Sequence, residues 1–213
     1  MVNCLCNFIE MSKEKTANKA KNNPFPIVAI GASVGGLKAV TALLNNVSAK
    51  TGMAFIFVQH LSPTHKSHLT ELLSKITKMK VQDIEDMEKM IPDNVYVIPF
   101  DKGIEVTDGH IKLIPRKRQG KPITIDILFS SLAETHKENV IGVVLSGNLD
   151  DGTEGLKAIK DAGGITFAQD SSADADSMPT SAIASGAVDF VLSAKGIGQE
   201  LSGLNVGGVL KRD

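Results

Sequence analysis

Short runs of apolar residues alternate along this chain with longer stretches in which apolar residues recur every three or four positions. The first run, Ile27–Ile30, ends at Gly31 and is typical of a buried strand. The stretch after it has apolar residues at helical spacing, namely Leu37, Val40, Leu43, Leu44 and Val47. Further strand runs lie at 54–58, 81–84, 140–145, 165–168 and 188–192, and further helical stripes lie at 69–76, 125–132 and 156–159. This alternation predicts an α/β fold with a doubly wound, mostly parallel sheet flanked by helices.

One segment departs from the alternation and predicts an antiparallel insert. After the run Val95–Ile98, two short alternating runs, Ile104–Val106 and Ile111–Leu113, flank the dipeptide Asp108-Gly109. An Asp-Gly pair between two such runs is a strong signal for a β-hairpin. We therefore expect an antiparallel hairpin at one edge of the sheet, followed by an exposed basic loop at Arg116–Lys121.

Length and local composition predict one domain with a tail at each end. The chain has 213 residues, a length that suits a single domain. Residues 1–23 are polar and rich in lysine without a periodic apolar pattern, so we expect a disordered tail there. The domain is expected to occupy residues 24–204, and residues 205–213 are expected to form a C-terminal tail or the start of a linker.

The charge balance and the residue content argue against several classes of protein. Lys and Arg number 23 and Asp and Glu 24, so the net charge is −1, and the chain has no Trp and a single Tyr. This composition does not favour a nucleic-acid-binding protein. The only cysteines, Cys4 and Cys6, exclude a disulfide framework and a cysteine-ligated zinc site in the domain. Because no apolar run is long enough to span a membrane and no secretory signal is evident, we expect a cytoplasmic protein without membrane insertion.

Polar residues follow three of the predicted strands at the point where each strand ends. Ser33 lies in the turn Gly31–Gly36 after the first strand, His60 follows the second strand, and Asp150 and Asp151 follow the most hydrophobic strand run. In an open α/β sheet, ligands bind at the carboxyl ends of the strands. A serine, a histidine and an acid at one such edge are the set that an activated serine nucleophile requires.

The sequence around Ser33 fits this chemistry. Gly31-Ala32-Ser33-Val34-Gly35 matches G-x-S-x-G, a sharp strand-to-helix turn that exposes a serine hydroxyl. The amides at the start of the following helix favour a developing oxyanion. We expect His60 to take the proton of the hydroxyl, since an imidazole titrates near neutral pH, and an aspartate to fix the tautomer of the imidazole. The order Ser, His, Asp along the chain differs from that of the α/β-hydrolases.

Each of these residues also has a simpler interpretation. A glycine-rich turn after the first strand suits a phosphate or a dinucleotide, although the chain lacks the P-loop lysine and the third glycine of G-x-G-x-x-G. A histidine at a strand end is often only hydrogen-bonded there, and Asp-Asp-Gly is most often a helix cap and a turn. Their joint position after three separate strands favours catalysis. His65 and His68 have a spacing that occurs in metal sites, but no third ligand is evident, so we expect a solvated helix face.

At these residues the chain resembles the catalytic domain of the chemotaxis protein-glutamate methylesterases, the CheB family. The resemblance extends from about Ile27 to Leu201 and rests on separated stretches in the order of the family. These stretches are Gly31–Gly36, Val58–His60, Val95–Pro99, Asp126–Ala133, Leu145–Gly147 with Asp151-Gly152, Ala168–Asp170, and Met178-Pro179 with Ser181–Ile183. The stretch from Leu145 to Leu156 is most similar to the branch of the family that is fused to a receptor methyltransferase.

The resemblance implies hydrolysis of glutamyl methyl esters on the cytoplasmic helices of chemoreceptors to glutamate and methanol, and in some members deamidation of glutamine. It implies that Ser33 is the nucleophile, His60 the general base and acid, and Asp151 the partner of the histidine. The backbone amides of Val34 and Asn148 would stabilise the oxyanion. No metal or organic cofactor is implied. A methyltransferase or a receiver domain, fused or separate, is an expected partner.

The chain departs from the pattern of the family in one loop of the site and in its regulation. The family commonly has Gly-Met-Gly where this chain has Gly147-Asn148-Leu149, a change that could misplace the amide of Asn148. The chemotaxis enzymes have a receiver domain ahead of the catalytic domain, and none is recognisable here, so we expect either a fragment or external regulation. A catalytically weakened binding or regulatory module is the alternative hypothesis. The presence of all three candidate catalytic residues argues against it.

Overall fold

A computed structural model describes residues 25–60, 68–99, 101–107, 109–115 and 123–204. Within these ranges the strands are β1 (Ile27–Ala32), β2 (Ala54–Gln59), β3 (Lys80–Asp83), β4 (Glu88–Lys89), β5 (Asn94–Val97), β6 (Lys102–Thr107), β7 (His110–Pro115), β8 (Val140–Val144), β9 (Ile165–Gln169) and β10 (Phe190–Leu192). The helices are α1 (Gly36–Leu44), α2 (Leu69–Ser74), α3 (Thr124–His136), α4 (Thr153–Asp161), α5 (Ser177–Ala184) and α6 (Ala194–Gly203), and a short 3₁₀ helix (Lys137–Asn139) follows α3.

Seven strands form one sheet in which neighbouring strands run parallel. Their order is β10-β9-β8-β1-β2-β5-β3, and the pairing between adjacent strands is parallel throughout. β1 lies between β2, which follows it, and β8, which comes much later in the chain. The strand order therefore reverses beside β1, and the carboxyl ends of β1, β2 and β8 lie next to one another. Open α/β sheets bind ligands at such a reversal. The predicted fold class is confirmed.

The sheet is buried on both faces, which explains why its strands form unbroken apolar runs. In β1, Ile27 and Ala29 pack in the same cluster as residues of α3 and α4, whereas Val28 and Ile30 pack with residues of α1 and α6. All four side chains are fully buried. Burial of one large aliphatic side chain contributes about 1.5–3 kcal/mol, so both clusters fix the strand ends and helix starts from which the candidate site is built.

The predicted hairpin is confirmed as β6 and β7, and it belongs to a small sheet of its own. β6 and β7 pair antiparallel, and Gly109 in the connecting turn has φ 74°, which glycine adopts without steric cost. Asp108 lies outside the described residues. The strand β4 pairs with the other side of β7; at two residues it is too short to be predicted from sequence. The amide of Val106 donates to Oγ of Ser131 at 2.9 Å, which ties this sheet to α3.

Two predicted strands differ from expectation in partner or extent. The run Val95–Ile98, which in the sequence leads into the antiparallel insert, instead enters the large sheet as β5 and pairs parallel with β2 and β3. Apolar residues on both of its faces explain this, since Val95 and Tyr96 pack in opposite clusters of the core. The strand expected at 188–192 begins only at Phe190 and lies at the edge of the sheet.

Several expectations concern residues that the structure does not describe. The tails at 1–23 and 205–213 and the basic loop at 116–121 lie outside the described ranges. The domain boundaries at 24 and 204 stay predictions. Among the described helices, none is both long and apolar enough to cross a lipid bilayer.

Candidate active site

Ser33 lies in a tight turn between β1 and α1. Its amide donates to the carbonyl oxygen of Ser146 at 2.9 Å. Its own carbonyl oxygen accepts from the amide of Gly36 at 3.0 Å and from Nε2 of Gln59 at 3.3 Å. Gly35 has φ 77°, and a Cβ there would lie 2.5 Å from Oγ of Ser146. The turn therefore requires glycine at this position, and hydrogen bonds to three residues fix the backbone of the serine.

His60 follows β2 directly and lies beside Ser33. Ala32 is opposite Gln59 in the pairing of β1 and β2, so Ser33 and His60 are the next residues along the two strands. The amide of His60 donates to the carbonyl oxygen of Ala32 at 3.0 Å, which extends the strand ladder by one bond. Because neighbouring strands are about 4.8 Å apart, the two residues are neighbours at the carboxyl end of the sheet.

Asp151 holds the imidazole of His60 from a buried position. Its Oδ2 lies 2.7 Å from Nε2 of His60, and its side chain is 1% exposed, against 11% for the histidine. Two backbone amides at the start of α3 also donate to this carboxylate, that of Ile125 to Oδ2 and that of Asp126 to Oδ1, each at 3.0 Å. The start of a helix favours negative charge, so α3 both orients the carboxylate and stabilises its charge.

This contact decides which nitrogen of His60 is free to act as a base. An ionised carboxylate only accepts hydrogen bonds, so Nε2 carries the hydrogen that is donated to Asp151. In a neutral imidazole the other nitrogen then has the lone pair. Nδ1 of His60 is therefore the atom that can take a proton.

A second carboxyl group, that of Asp126, lies next to Asp151, and the sequence patterns do not assign it to the site. Its Oδ1 accepts from the amides of Gly152 at 2.9 Å and Gly155 at 2.8 Å, at the start of α4. Burial, reinforced by the negative charge of Asp151, raises the pKa of Asp126 to about 6, although both amides oppose the rise. In the sequence, Asp126 is an acid in the first turn of a predicted helix and the first residue of a stretch similar to the family, and neither feature indicates a contact with Asp151.

The loop Gly147–Asp150 lies against Ser33. A Cβ at Gly147 would overlap Sδ of Met178 and lie 2.9 Å from Cβ of Ser33, so the absence of a side chain there lets the loop approach the serine closely. Leu149 has φ 70°, and the residue is 57% exposed. Leucine rarely adopts this backbone conformation. The position at which this chain departs from the family pattern is therefore strained.

The backbone amides of Val34 and Asn148 are unpaired within the described part of the chain. Neither donates a hydrogen bond to another described residue. The hydroxyl of Ser33 likewise makes no hydrogen bond to a described residue, so no such bond joins it to His60. Bonds between a catalytic hydroxyl and its base often tighten only when substrate is bound. The structure thus brings His60 and Asp151 into contact and places Ser33 beside them.

A groove of about 310 Å³ adjoins the Ser33 turn on the side of α1 and α6. Its lining includes Gly35 and Ser146 next to the turn, and Lys38 and Lys195 farther away. Nζ of Lys38 donates to Oδ1 of Asp174, which also lines the groove, at 2.7 Å. The surface beside the candidate nucleophile is therefore a groove with charged side chains from Lys38, Asp174 and Lys195 and an otherwise largely apolar lining.

The described residues contain no group of three or more His, Cys, Asp or Glu side chains that could hold a metal ion. Of the two histidines that the sequence places at metal-ligand spacing, His68 has its Nδ1 3.6 Å from Oε2 of Glu71. Both of these side chains are well exposed, as on a solvated helix face. His65 lies outside the described residues.

Most of this chain is similar in sequence to known proteins. Residues 28–201 match the family model described as CheB methylesterase. The chain belongs to the CheB methylesterase family. A protein-glutamate methylesterase/protein-glutamine glutaminase of Yersinia pestis bv. Antiqua (strain Antiqua) is 33% identical over 181 residues, which cover 82% of this chain and 52% of that protein. Protein-glutamate methylesterase/protein-glutamine glutaminase 2 of Shewanella sp. (strain MR-4) is 34% identical over 193 residues, which cover 88% of this chain and 54% of that protein.

A solved structure of the CheB methylesterase family has the same fold. The crystal structure of the Thermotoga maritima CheB methylesterase catalytic domain matches with a TM-score of 0.77 at 29% identity, over 85% of this chain and 99% of that one. The chain spans about half the length of the curated relatives it matches. The family expected from the sequence motifs is confirmed. The closer similarity to the branch fused to a methyltransferase stays a prediction.

Proposed function

We propose that this chain hydrolyses glutamyl methyl esters on the cytoplasmic helices of chemoreceptors, with Ser33 as nucleophile, His60 as general base and acid, and Asp151 as the partner of His60. The observation that carries the proposal is the 2.7 Å contact between Nε2 of His60 and the buried carboxylate of Asp151, beside the Ser33 turn. Relatives that bear the name protein-glutamate methylesterase support the choice of substrate.

The acylation step uses the atoms that the fold places at the sheet edge. Oγ of Ser33 attacks the ester carbonyl carbon while Nδ1 of His60 takes the hydroxyl proton, and Asp151 stabilises the imidazolium through Nε2. The tetrahedral intermediate then collapses, its bond to the methoxy oxygen breaks, and His60 returns the proton so that methanol leaves. The product is an ester between the receptor glutamate and Ser33.

The backbone amides of Val34 and Asn148 are the proposed donors to the oxyanion. Their lack of acceptors among the described residues supports this role, since preorganised donors cost no rearrangement during the reaction. In the second step His60 takes a proton from water and the hydroxide adds to the acyl carbon; the bond to Oγ of Ser33 then breaks as His60 returns the proton to that oxygen, which releases the glutamate and restores the serine hydroxyl. Attack on a glutamine side chain by the same route would release ammonia, as the second half of the relatives' name suggests.

The open groove beside the Ser33 turn fits a substrate presented on the surface of a helix. The groove is only partly enclosed, which suits a side chain that projects from a protein surface rather than an enclosed small molecule, and its mixed lining can contact both the apolar and the polar atoms of such a surface. We further propose that the protein acts in the cytoplasm and that a methyltransferase or a receiver domain, fused or separate, is its partner. The relatives' additional length supports a further domain in those proteins.

A binding or regulatory module with weak turnover is the second candidate function. Two observations favour it: the hydroxyl of Ser33 makes no hydrogen bond to His60 among the described residues, and Leu149 strains the loop next to Asn148. Such a module would bind methylated receptor helices and release little methanol.

Methanol release from a methylated chemoreceptor cytoplasmic fragment tests the proposal. The parent, Ser33→Ala and Ser74→Ala are compared, because Ser74 is an exposed serine at the end of α2 and serves as a matched control. We expect release by the parent and by Ser74→Ala and a loss of at least a thousandfold in Ser33→Ala. No release by a folded parent that still binds the fragment would support the module, and equal release by Ser33→Ala would refute the assigned nucleophile.

A further inference from the structure

Asp151 caps the start of α3, the helix that contains Asp126, and Asp126 caps the start of α4, the helix that follows Asp151. The carboxylate of Asp151, which lies two residues before the start of α4, accepts hydrogen bonds from the amides of Ile125 and Asp126 in the first turn of α3. The carboxyl group of Asp126 accepts the amides of Gly152 and Gly155 at the start of α4. The two acids therefore connect the starts of α3 and α4 through four hydrogen bonds.

The packing around this exchange leaves little freedom. A Cβ at Gly155 would lie 2.5 Å from Cβ of Phe129 and 3.1 Å from Cα of Asp126, so α4 approaches α3 closely only because a glycine is present there. The amide of Gly155 can then reach the carboxyl group of Asp126. Any movement of Asp126 is thus transmitted to the segment that carries Asp151.

The charges around Asp126 are almost all negative. Asp151 faces it from the loop before α4, with His60 on the far side of that carboxylate. Glu105 of β6 and Glu134 of α3 line the groove onto which Asp126 opens, and Glu154 lies in the first turn of α4. The nearby cations are engaged elsewhere, since Nζ of Lys112 bonds Glu105 at 2.9 Å and Nζ of Lys157 bonds Glu154 at 2.6 Å. Within the described residues no cation forms a salt bridge with Asp126.

We propose that Asp126 is a positioning residue of the esterase, which holds Asp151 in the orientation that His60 requires and adds a second negative charge behind the Asp151–His60 pair when it loses its proton. This inference rests on the proposed function. The raised pKa of Asp126, about 6, places the loss of its proton just below neutral pH. Above that pH the added charge stabilises the imidazolium that His60 becomes when it takes the serine proton.

The test compares kcat/KM for methanol release from pH 5 to pH 9 in the parent, Asp126→Asn and Glu134→Gln. Asparagine keeps an oxygen that accepts from Gly152 and Gly155 but never carries a charge. We expect kcat/KM of Asp126→Asn to fall about tenfold below the parent at pH 8 and by a smaller factor at pH 5. Glu134→Gln removes a carboxylate from the same helix and groove, and its ratio to the parent should not change with pH. If the ratio of kcat/KM between Asp126→Asn and the parent is constant from pH 5 to pH 9, the proposal that the charge of Asp126 assists His60 is wrong.

Asp126→Ala tests the positioning role, because alanine removes the acceptor of both hydrogen bonds from the start of α4, those from the amides of Gly152 and Gly155. We expect it to lower kcat at pH 5 as well as at pH 8, and more than Asp126→Asn does at either pH. An Asp126→Ala enzyme that is folded and has the rates of Asp126→Asn would refute the positioning role.

A titration by NMR separates this inference from the proposed function. In the parent, the carboxyl carbon of Asp126 should titrate near pH 6, and the ring signals of His60 should show an inflection at the same pH that is absent in Asp126→Asn. If the parent releases no methanol, the proposed function fails, but the titration still decides whether Asp126 and His60 are coupled. Ring signals that are identical in the parent and Asp126→Asn would refute the coupling.

Discussion

Gly147→Ala should disable catalysis while leaving the chain folded. An added methyl group would overlap Sδ of Met178 and lie 2.9 Å from Cβ and 3.1 Å from N of Ser33. The thioether of Met178 is flexible and can move aside. Ser33 cannot move as easily, because its amide is bonded to the carbonyl oxygen of Ser146 at 2.9 Å. Restoring an ordinary carbon–carbon separation requires Ser33 to shift by roughly 0.5–1 Å.

The expected magnitudes follow from that shift. A displacement of about 1 Å in a reacting group costs about 100-fold in rate, and overpacking by one methyl group costs about 1–3 kcal/mol of stability. We therefore expect Gly147→Ala to remain folded, with kcat/KM for methanol release lowered about 100-fold. The control is Gly203→Ala at the end of α6, where a Cβ would meet nothing within 4 Å. That variant should have the parent's kcat/KM and a stability within about 0.5 kcal/mol of the parent.

Urea unfolding and methanol release are measured on the same preparations of both variants. If Gly147→Ala is folded and has the parent's kcat/KM, then the close approach of the loop to Ser33 does not govern the position of the nucleophile. If it loses activity only because it unfolds, the glycine is required for the fold and not for the geometry of the site.

Three further predictions concern stability. Leu149→Gly should be more stable to urea than Leu149→Ala by about 1 kcal/mol, since both remove the side chain but only glycine relieves the cost of φ 70°; equal stabilities would contradict the strain in this loop. Tyr96→Phe should lower the free energy of unfolding by about 1 kcal/mol, because the amide of Ile91, which donates to the Tyr96 hydroxyl at 2.8 Å, loses its acceptor. Unchanged urea unfolding would show that this bond contributes nothing to stability. The pKa of Asp126 is raised from 3.8 to about 6, so between these pH values the folded state binds more protons than the unfolded state. The parent's free energy of unfolding should therefore fall as pH rises from about 4 to about 6. Because the group is partly exposed, we expect a fall of roughly 1 kcal/mol. Asp126→Asn should lack this part of the fall, and a pH dependence of urea unfolding equal to that of the parent would contradict the shift.

The convergence of Ser33, His60 and Asp151 can be predicted from the sequence because parallel strands end at one edge of a sheet. Each residue directly follows an apolar run, or the loop after one, so the strand pattern alone places all three at that edge. What the pattern does not contain is the order of the strands. The insertion of β5 between β2 and β3 depends on which neighbour buries Val95 and Tyr96, and that is a property of the assembled core.

The role of Asp126 could not be read from the sequence for a related reason. It depends on hydrogen bonds between residues that are 26 and 29 positions apart, made where two helices begin side by side. The left-handed backbone conformation of Leu149 could not be predicted from the sequence either, since leucine gives no signal for positive φ. Local patterns therefore predict the three strand-end residues, whereas the contacts that orient them arise only from packing between elements.

Labelling with an organophosphorus fluoride, which reacts with activated serine hydroxyls, shows directly whether His60 and Asp151 activate Ser33. The parent, His60→Ala and Asp151→Asn are treated under identical conditions, and the modified peptide is identified by mass spectrometry. We expect one equivalent of label on Ser33 in the parent. The labelling rate should fall at least 100-fold in both variants, because His60 no longer takes the proton in His60→Ala and is no longer held by a carboxylate in Asp151→Asn. Labelling of Ser33 at the parent's rate in His60→Ala, or labelling of a different serine such as Ser146, would contradict this expectation.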